Sequence, residues 1–308
     1  MRLLTLVLLA SALAGASVPA QQGRDEGQLT ITMAVDLVVF NVTVTDGKGR
    51  HVSGLTRADF AVAEDGRAQE LTLFSADDVP ATVGLIVDNS GSMLDKNRQV
   101  ADAALAFVGA SHPEDELFVV NFNEKVYFGL PPTVPFTRSA FQLRAALQTV
   151  PTGLTALYDA LAAGIRHLDM GSRQRKALVV FSDGGDNASK QPLDDVVQAA
   201  RRSSATMYTI GFYDETNRDR NPRVLRQIAS LSGGRAYFPQ SLDDMGRVWT
   251  DIAGGIRSQY TIGYQSTNAA HDGTFRKVRI TTGRNAGRGL QVTTREGYFA
   301  PVAGAIAK

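Results

Sequence analysis

Cysteine is absent from the 308-residue chain, which excludes disulfides, thiolate zinc centres and a cysteine nucleophile. Histidine is scarce: His51, His112, His167 and His271 lie far apart, with no HxxxH or HxH spacing. A catalytic zinc site is therefore not expected. Neither sign of charge dominates, since 32 basic and 31 acidic residues leave a formal net charge of +1. A nucleic-acid surface would need a clustered basic excess. Beyond Ala20 no apolar run is long enough to cross a bilayer, which takes about 20 residues.

The first residues read as a targeting segment. Arg2 supplies a positive start, Leu3–Ala14 a short apolar stretch, and Val18-Pro19-Ala20 a small-residue cleavage site. Together they predict a signal peptide over residues 1–20, and the mature protein is then expected in a periplasm or outside the cell. With 44% hydrophobic and 20% charged residues, the remainder has ordinary globular composition and enough apolar material for a sizeable core.

Two patterns alternate along the chain. Over residues 29–78, as in Phe40-Asn41-Val42-Thr43-Val44-Thr45, apolar and polar positions alternate with the period of half-buried strands. Asp46-Gly47-Lys48-Gly49 and Glu64-Asp65-Gly66 mark turns. Over residues 80–257 strands alternate with helices. Val83–Val87, Leu117–Phe122, Ala177–Phe181 and Ala205–Ile210 read as strands, and Val126–Leu130 as an antiparallel edge neighbour. Helical spacing joins Val100 to Val108, Leu143 to Val150 behind Ser139, Leu157 to Leu168, and Leu193 to Ala200. It also joins Asn221 to Leu231, and Met245 to Ile256 behind Ser241 and Asp244. This order predicts an α/β fold with a doubly wound, mostly parallel sheet.

Residues 258–300 return to strand alternation, as in Tyr260, Ile262 and Tyr264. Each β-type end is short for a sheet of its own, so both are expected to pair into a second, β-sandwich domain. Two separate appendages on the α/β sheet are the alternative. The tail 301–308 is rich in small residues and is expected to be disordered.

The informative segment is Asp88-Asn89-Ser90-Gly91-Ser92, directly after the strand Val83–Val87. In a parallel sheet such a loop lies at the ligand-binding edge. Asp88, Ser90 and Ser92 are spaced so that a curled loop aims three oxygens at one point, and Gly91 lets the backbone curl. An all-oxygen set suits a hard cation. Thr155, at a helix start, and Asp183, after the strand Ala177–Phe181, are placed to add oxygens on the same edge. Each has a plain reading too. Ser92 and Thr155 are ordinary helix N-caps, and Asp183-Gly184 is an ordinary turn pair. Asp186 is expected to be a solvated turn residue, and Tyr208, Phe212, Tyr213 and Trp249 to be mostly core and rim packing.

Taken together, DNSGS, TGLTALYDA from Thr152 and FSDGGD from Phe181 resemble the three motifs of the von Willebrand factor A family, also seen in integrin I domains. The resemblance spans residues 80–257. It implies a metal-ion-dependent adhesion site in which Asp88, Ser90, Ser92, Thr155 and Asp183 hold Mg2+, or else Mn2+ or Ca2+. It further implies that a partner's Asp or Glu completes the coordination. Thr155 then bonds the metal directly, Asp183 shifts to a water-mediated contact, and the change passes to the last helix, Leu242–Ile256. The flanking β-segments, ending in Arg295-Glu296-Gly297-Tyr298, resemble those of secreted bacterial proteins with such a domain.

An exported, metal-dependent protein-binding or adhesion module follows, with no enzymatic activity. An envelope component whose metal only ties loops together is the alternative. A metal-assisted hydrolase is disfavoured, because no general base or nucleophile stands beside the motif residues. Partner choice is expected to lie in loops such as Met93–Asn97 and Tyr213–Arg220.

Overall fold

The computed structural model describes residues 37–211, 220–240, 242–283 and 289–302. The expected signal peptide, Phe212, the loop from Tyr213 through residue 219, Ser241 and the tail from residue 303 on lie outside those residues.

Strand β1 (Leu37–Thr45) turns Phe40, Val42 and Val44 inward, as their alternation requires. The Asp46 carboxylate bends the chain after it by accepting from the backbone N–H groups of Lys48 and Arg50. β2 (Phe60–Glu64) and β3 (Arg67–Gln69) form a hairpin. Its turn has Asp65 at φ 47° and Gly66 at φ 84°, the left-handed pair that a two-residue hairpin loop demands. β3 is too short for the sequence pattern to separate it from β4 (Leu71–Ser75).

β5 (Ala81–Asp88) is buried at every position, which is what an unbroken apolar run needs inside a doubly covered sheet. The other strands of its sheet are β6 (Glu116–Phe122), β7 (Val126–Phe128), β8 (Arg175–Ser182), β9 (Thr206–Gly211) and β10 (Ala236–Tyr237). Their spatial order is β10-β9-β8-β5-β6-β7. All pairs are parallel except the antiparallel β6–β7 edge. Helices α1 (Asn97–Ala110), α2 (Ala140–Leu147), α3 (Leu157–Leu168), α4 (Leu193–Arg202), α5 (Pro222–Leu231) and α6 (Leu242–Arg257) flank this sheet. Trp249 on α6 is buried against the rings of Phe107 and Phe181, and Tyr208 is buried as well. Both serve the core.

Val150 departs from expectation. α2 ends at Leu147, and Val150 stands 82% exposed beyond it instead of completing the apolar stripe. Pro151 follows, and a proline pushes the residue before it out of helical geometry.

After α6 come β11 (Tyr260–Gln265), β12 (Phe275–Thr282), β13 (Gln291–Thr293) and β14 (Gly297–Phe299). They interleave with the first strands in two antiparallel sheets, ordered β13-β1-β11-β4 and β14-β12-β2-β3. Each sheet therefore draws on both ends of the chain, and Phe40, Val62, Ile262 and Ile280 meet in one shared core.

One side chain holds the two crossings between sandwich and α/β unit. The buried guanidinium of Arg175 donates to the carbonyls of Asp77, Arg257 and Gln259 at 2.8, 3.1 and 2.6 Å. Asp77 precedes β5, and the other two flank the exit from α6. A second tie joins α6 to the β1–β2 connection, where Nε2 of His51 lies 2.9 Å from Oδ1 of Asp251.

Candidate metal centre

β5 ends at Asp88 and its parallel neighbour β8 ends at Ser182, so the loops that follow open on one edge of the sheet. Past Asp88 the chain curls into a single 3-10 turn, Gly91–Met93. That turn brings Oγ of Ser90 within 3.1 Å of Oγ of Ser92. Ser92 in turn donates to Oδ2 of Asp183 at 2.9 Å. Asp88 accepts from the Ser90 backbone N–H at Oδ1 and from the Ser182 hydroxyl at Oδ2. Asp88, Ser90, Ser92 and Asp183 are thus joined in one run of hydrogen bonds.

Thr155 arrives on another loop, which is sewn to the first. The Gly91 N–H donates to the Gly153 carbonyl at 3.1 Å, and the Thr152 N–H to the Asn89 carbonyl at 2.8 Å. Gly153 has φ 80°, a conformation that favours glycine. The Thr155 backbone is fixed from the third loop, its N–H donating to Oδ1 of Asn187. Its hydroxyl makes no hydrogen bond among the described residues, so it bonds to none of the other four side chains.

Helix capping does not account for these groups. Ser90 is the N-cap of the 3-10 turn yet makes no side-chain capping bond. Ser92 spends its hydroxyl on Asp183, and the N-cap of α3 is Ala156, not Thr155. The true cap of α3 comes from a distance. Asp186 Oδ2 accepts from the Tyr158 N–H at 3.0 Å and from the Ser189 hydroxyl at 2.5 Å. Asp186 is therefore a half-buried cap rather than a solvated turn residue, because it satisfies an N–H group at a helix start.

Asp88, Ser90, Asp183 and Thr155 are all buried. Burial, with the Asp183 charge adding to it, pushes the Asp88 carboxyl up to about 6. Its hydrogen bonds come from Ser90 and Ser182, and no Lys, Arg or His donates to it among the described residues. A buried carboxylate without a counter-charge is costly. A divalent cation between Asp88 and Asp183 would remove that cost. The donor set, two carboxylates and three hydroxyls, fits a hard cation. Asp88, Ser90, Ser92, Thr155 and Asp183 are the residues that would hold it.

Several supports are invisible in the motifs alone. Ser182 orients Asp88. Asn89 donates to the Val87 carbonyl and to Oδ1 of Asn121, and it accepts from the Thr149 hydroxyl. Glu124 accepts from the Leu154 N–H at 3.2 Å. Asn89 and Ser182 lie inside the motif segments but beside the residues read as ligands, and nothing local marks Glu124. His51, His112 and His167 make their hydrogen bonds elsewhere. Around the loops Leu94 and Leu154 stay more than half exposed, as does Val150.

A family model described as von Willebrand factor type A domain matches residues 83–249. Among curated proteins none matches the chain. A solved structure described as von Willebrand factor type A from Catenulispora acidiphila is 14% identical, with a TM-score of 0.50 over 88% of this chain and 75% of that one. Proximal thread matrix protein 1 from the mussel byssus, solved with a zinc-occupied MIDAS motif, is 15% identical, with a TM-score of 0.50 over 63% of this chain and 49% of its own. At these identities the likeness is one of fold.

Proposed function

Since the chain belongs to the von Willebrand factor type A domain family, a family of protein-interaction modules, we propose that it binds a protein partner through a divalent cation. Asp88, Ser90, Ser92, Thr155 and Asp183 hold the ion, with Mg2+ the expected occupant and Mn2+ or Ca2+ the substitutes. An Asp or Glu of the partner completes its coordination. The observation that carries this reading is the buried Asp88 carboxylate, which shares hydrogen-bonded contact with Asp183 through two serines and has no cationic partner among the described residues.

Leu94, Val150 and Leu154 are exposed on the segments next to the motif residues, and this favours a partner whose acidic residue is flanked by apolar ones. The protein is not an enzyme in this reading, since among the described residues His51, His112 and His167 make their hydrogen bonds away from the loops and none serves as a base beside them. It is exported, on the strength of residues 1–20, and no helix among the described residues is long and apolar enough to cross a membrane.

The alternative, a metal that merely ties loops together, is less well supported. Backbone hydrogen bonds from Gly91 to Gly153 and from Thr152 to Asn89 already sew those loops without an ion.

Titration calorimetry with Mg2+ and Mn2+ tests the site, and affinity capture from an envelope extract in Mg2+ against EDTA tests its use. Saturable uptake lost in Asp88→Ala, with capture lost in parallel, supports the reading. Absence of uptake at millimolar ion, or identical capture in every condition, defeats it.

A further inference from the structure

A cleft of about 500 Å³ opens between α5, the start of β10, strand β12 and the connection from β13 to β14. None of the residues that line it belongs to the loops that carry Asp88, Ser90, Ser92, Thr155 and Asp183. This cleft is a separate place from the metal loops.

Its charge is one-sided. Arg226, Arg235, Lys277, Arg279 and Arg295 line it against a single acid, Glu296. In a chain whose net charge is only +1, such a concentration is local and is produced by the fold.

Three of the cations are fixed in advance. Arg226 stacks over the ring of Phe238 at 4.5 Å and Arg295 over that of Phe40 at 4.6 Å, while Arg235 pairs with Asp251 at 3.1 Å. Lys277 and Arg279 project from the exposed face of β12, and their side chains make no ion pair or hydrogen bond among the described residues.

The walls add a second feature. β10 is an edge of the six-stranded sheet and β13 an edge of its own sheet, and both border the cleft. Edge strands present unpaired backbone N–H and C=O groups. An extended peptide uses such groups by adding as a strand, whereas a glycan or a free phosphate does not. Val292 adds half-buried apolar surface beside the charges, suited to an apolar side chain between the charged positions of a strand.

From this juxtaposition of five cations with two sheet edges we infer that the cleft binds an extended acidic polypeptide segment, whose alternate carboxylates pair with Arg226, Lys277 and Arg279. The proposal is independent of the metal site.

Fluorescence anisotropy with a labelled peptide of alternating glutamate and valine tests it on the full chain in EDTA. Saturable binding that weakens with added salt is expected. The charge-reversed variant Lys277→Glu/Arg279→Glu is expected to lose on the order of tenfold in affinity, while Asp88→Ala binds as the parent does. Both reversed residues are exposed, and an unchanged melting temperature verifies that the variant is folded. No binding at millimolar peptide, or binding indifferent to the reversal, overturns the proposal. Equal binding of a sulfated oligosaccharide or an oligonucleotide of matched charge overturns it as well.

Discussion

Ser182 donates its hydroxyl to Oδ2 of Asp88 at 2.7 Å, from the neighbouring parallel strand. With the Ser90 N–H on Oδ1 at 2.9 Å, this leaves the carboxylate a single orientation. Groups that aim a ligand from behind typically change metal affinity by about 10- to 100-fold. Ser182→Ala is therefore expected to weaken Mg2+ binding by that factor while the fold persists. Calorimetry beside a thermal melt checks it, and unchanged affinity would remove Ser182 from the site.

Asp88→Asn separates folding from binding. Replacing a buried, uncompensated carboxylate by an amide of the same shape relieves a desolvation cost. The metal-free variant is expected to be at least as stable as the parent at neutral pH. The parent gains about 2.7 kcal/mol when Mg2+ stands at a hundred times its Kd, and the variant gains nothing. Denaturant unfolding with and without Mg2+ measures both quantities. A stabilised parent and an equally stabilised variant would place the ion elsewhere.

Gly184 has φ 80°, and a Cβ there would lie 2.4 Å from the carbonyl oxygen of Asn221. That oxygen is backbone and has little freedom to give way. Gly184→Ala is expected to cost about 1–3 kcal/mol of stability and to displace Asp183 beside it. Weaker Mg2+ uptake should accompany the lower melting temperature. A variant that melts and binds like the parent would show that the loop relaxes freely.

The His51–Asp251 contact predicts a pH dependence. The hydrogen bond that His51 donates to the Asp251 carboxylate raises the His51 pKa. Burial alone would raise that of Asp251, but bonds from His51 and Tyr237 hold it below the ordinary value. A raised histidine stabilises fully below its unfolded value of about 6.5, and the contribution fades as pH climbs through the folded value. A lowered carboxylate stabilises above its unfolded value and loses that contribution as pH falls through the folded one. The clamp is thus tightest in mild acid. Melting temperatures of the parent and His51→Gln should converge as pH rises from about 6 to about 9. A gap that stays constant over that span would show that the contact does not titrate.

Legibility followed the length scale of each interaction. Val83–Val87 declared β5, and Asp88, Ser90 and Ser92 declared a curled loop, because both depend on neighbours a few residues away. The β-type ends were readable as strands, and their shortness as a reason to pair with each other, but not which strand meets which. The pairing of β1 with β11 joins residues more than two hundred positions apart, and no local pattern encodes it. Val150 was misplaced because helical spacing ran on past the point where Pro151 forbids a helix. The role of Asp186 lay in a helix start distant in sequence. The cationic cleft escaped notice altogether, since its residues are dispersed over α5, β10, β12 and the β13–β14 connection and balance elsewhere in the charge count.

Arg175 has a mechanical meaning. By fastening the carbonyl of Asp77 to those of Arg257 and Gln259, it closes the base of the inserted unit like a drawstring. Tension applied between residues 37 and 302 enters β1 and leaves near β14, both strands of the sandwich. That load is expected to cross at the guanidinium, whose three hydrogen bonds join the two crossings, instead of travelling around the loop of chain that carries Asp88 and Asp183. The sheet edge that carries Asp88 and Asp183 is thereby expected to be spared from traction on the chain, so that a partner held there would pull against an undeformed seat.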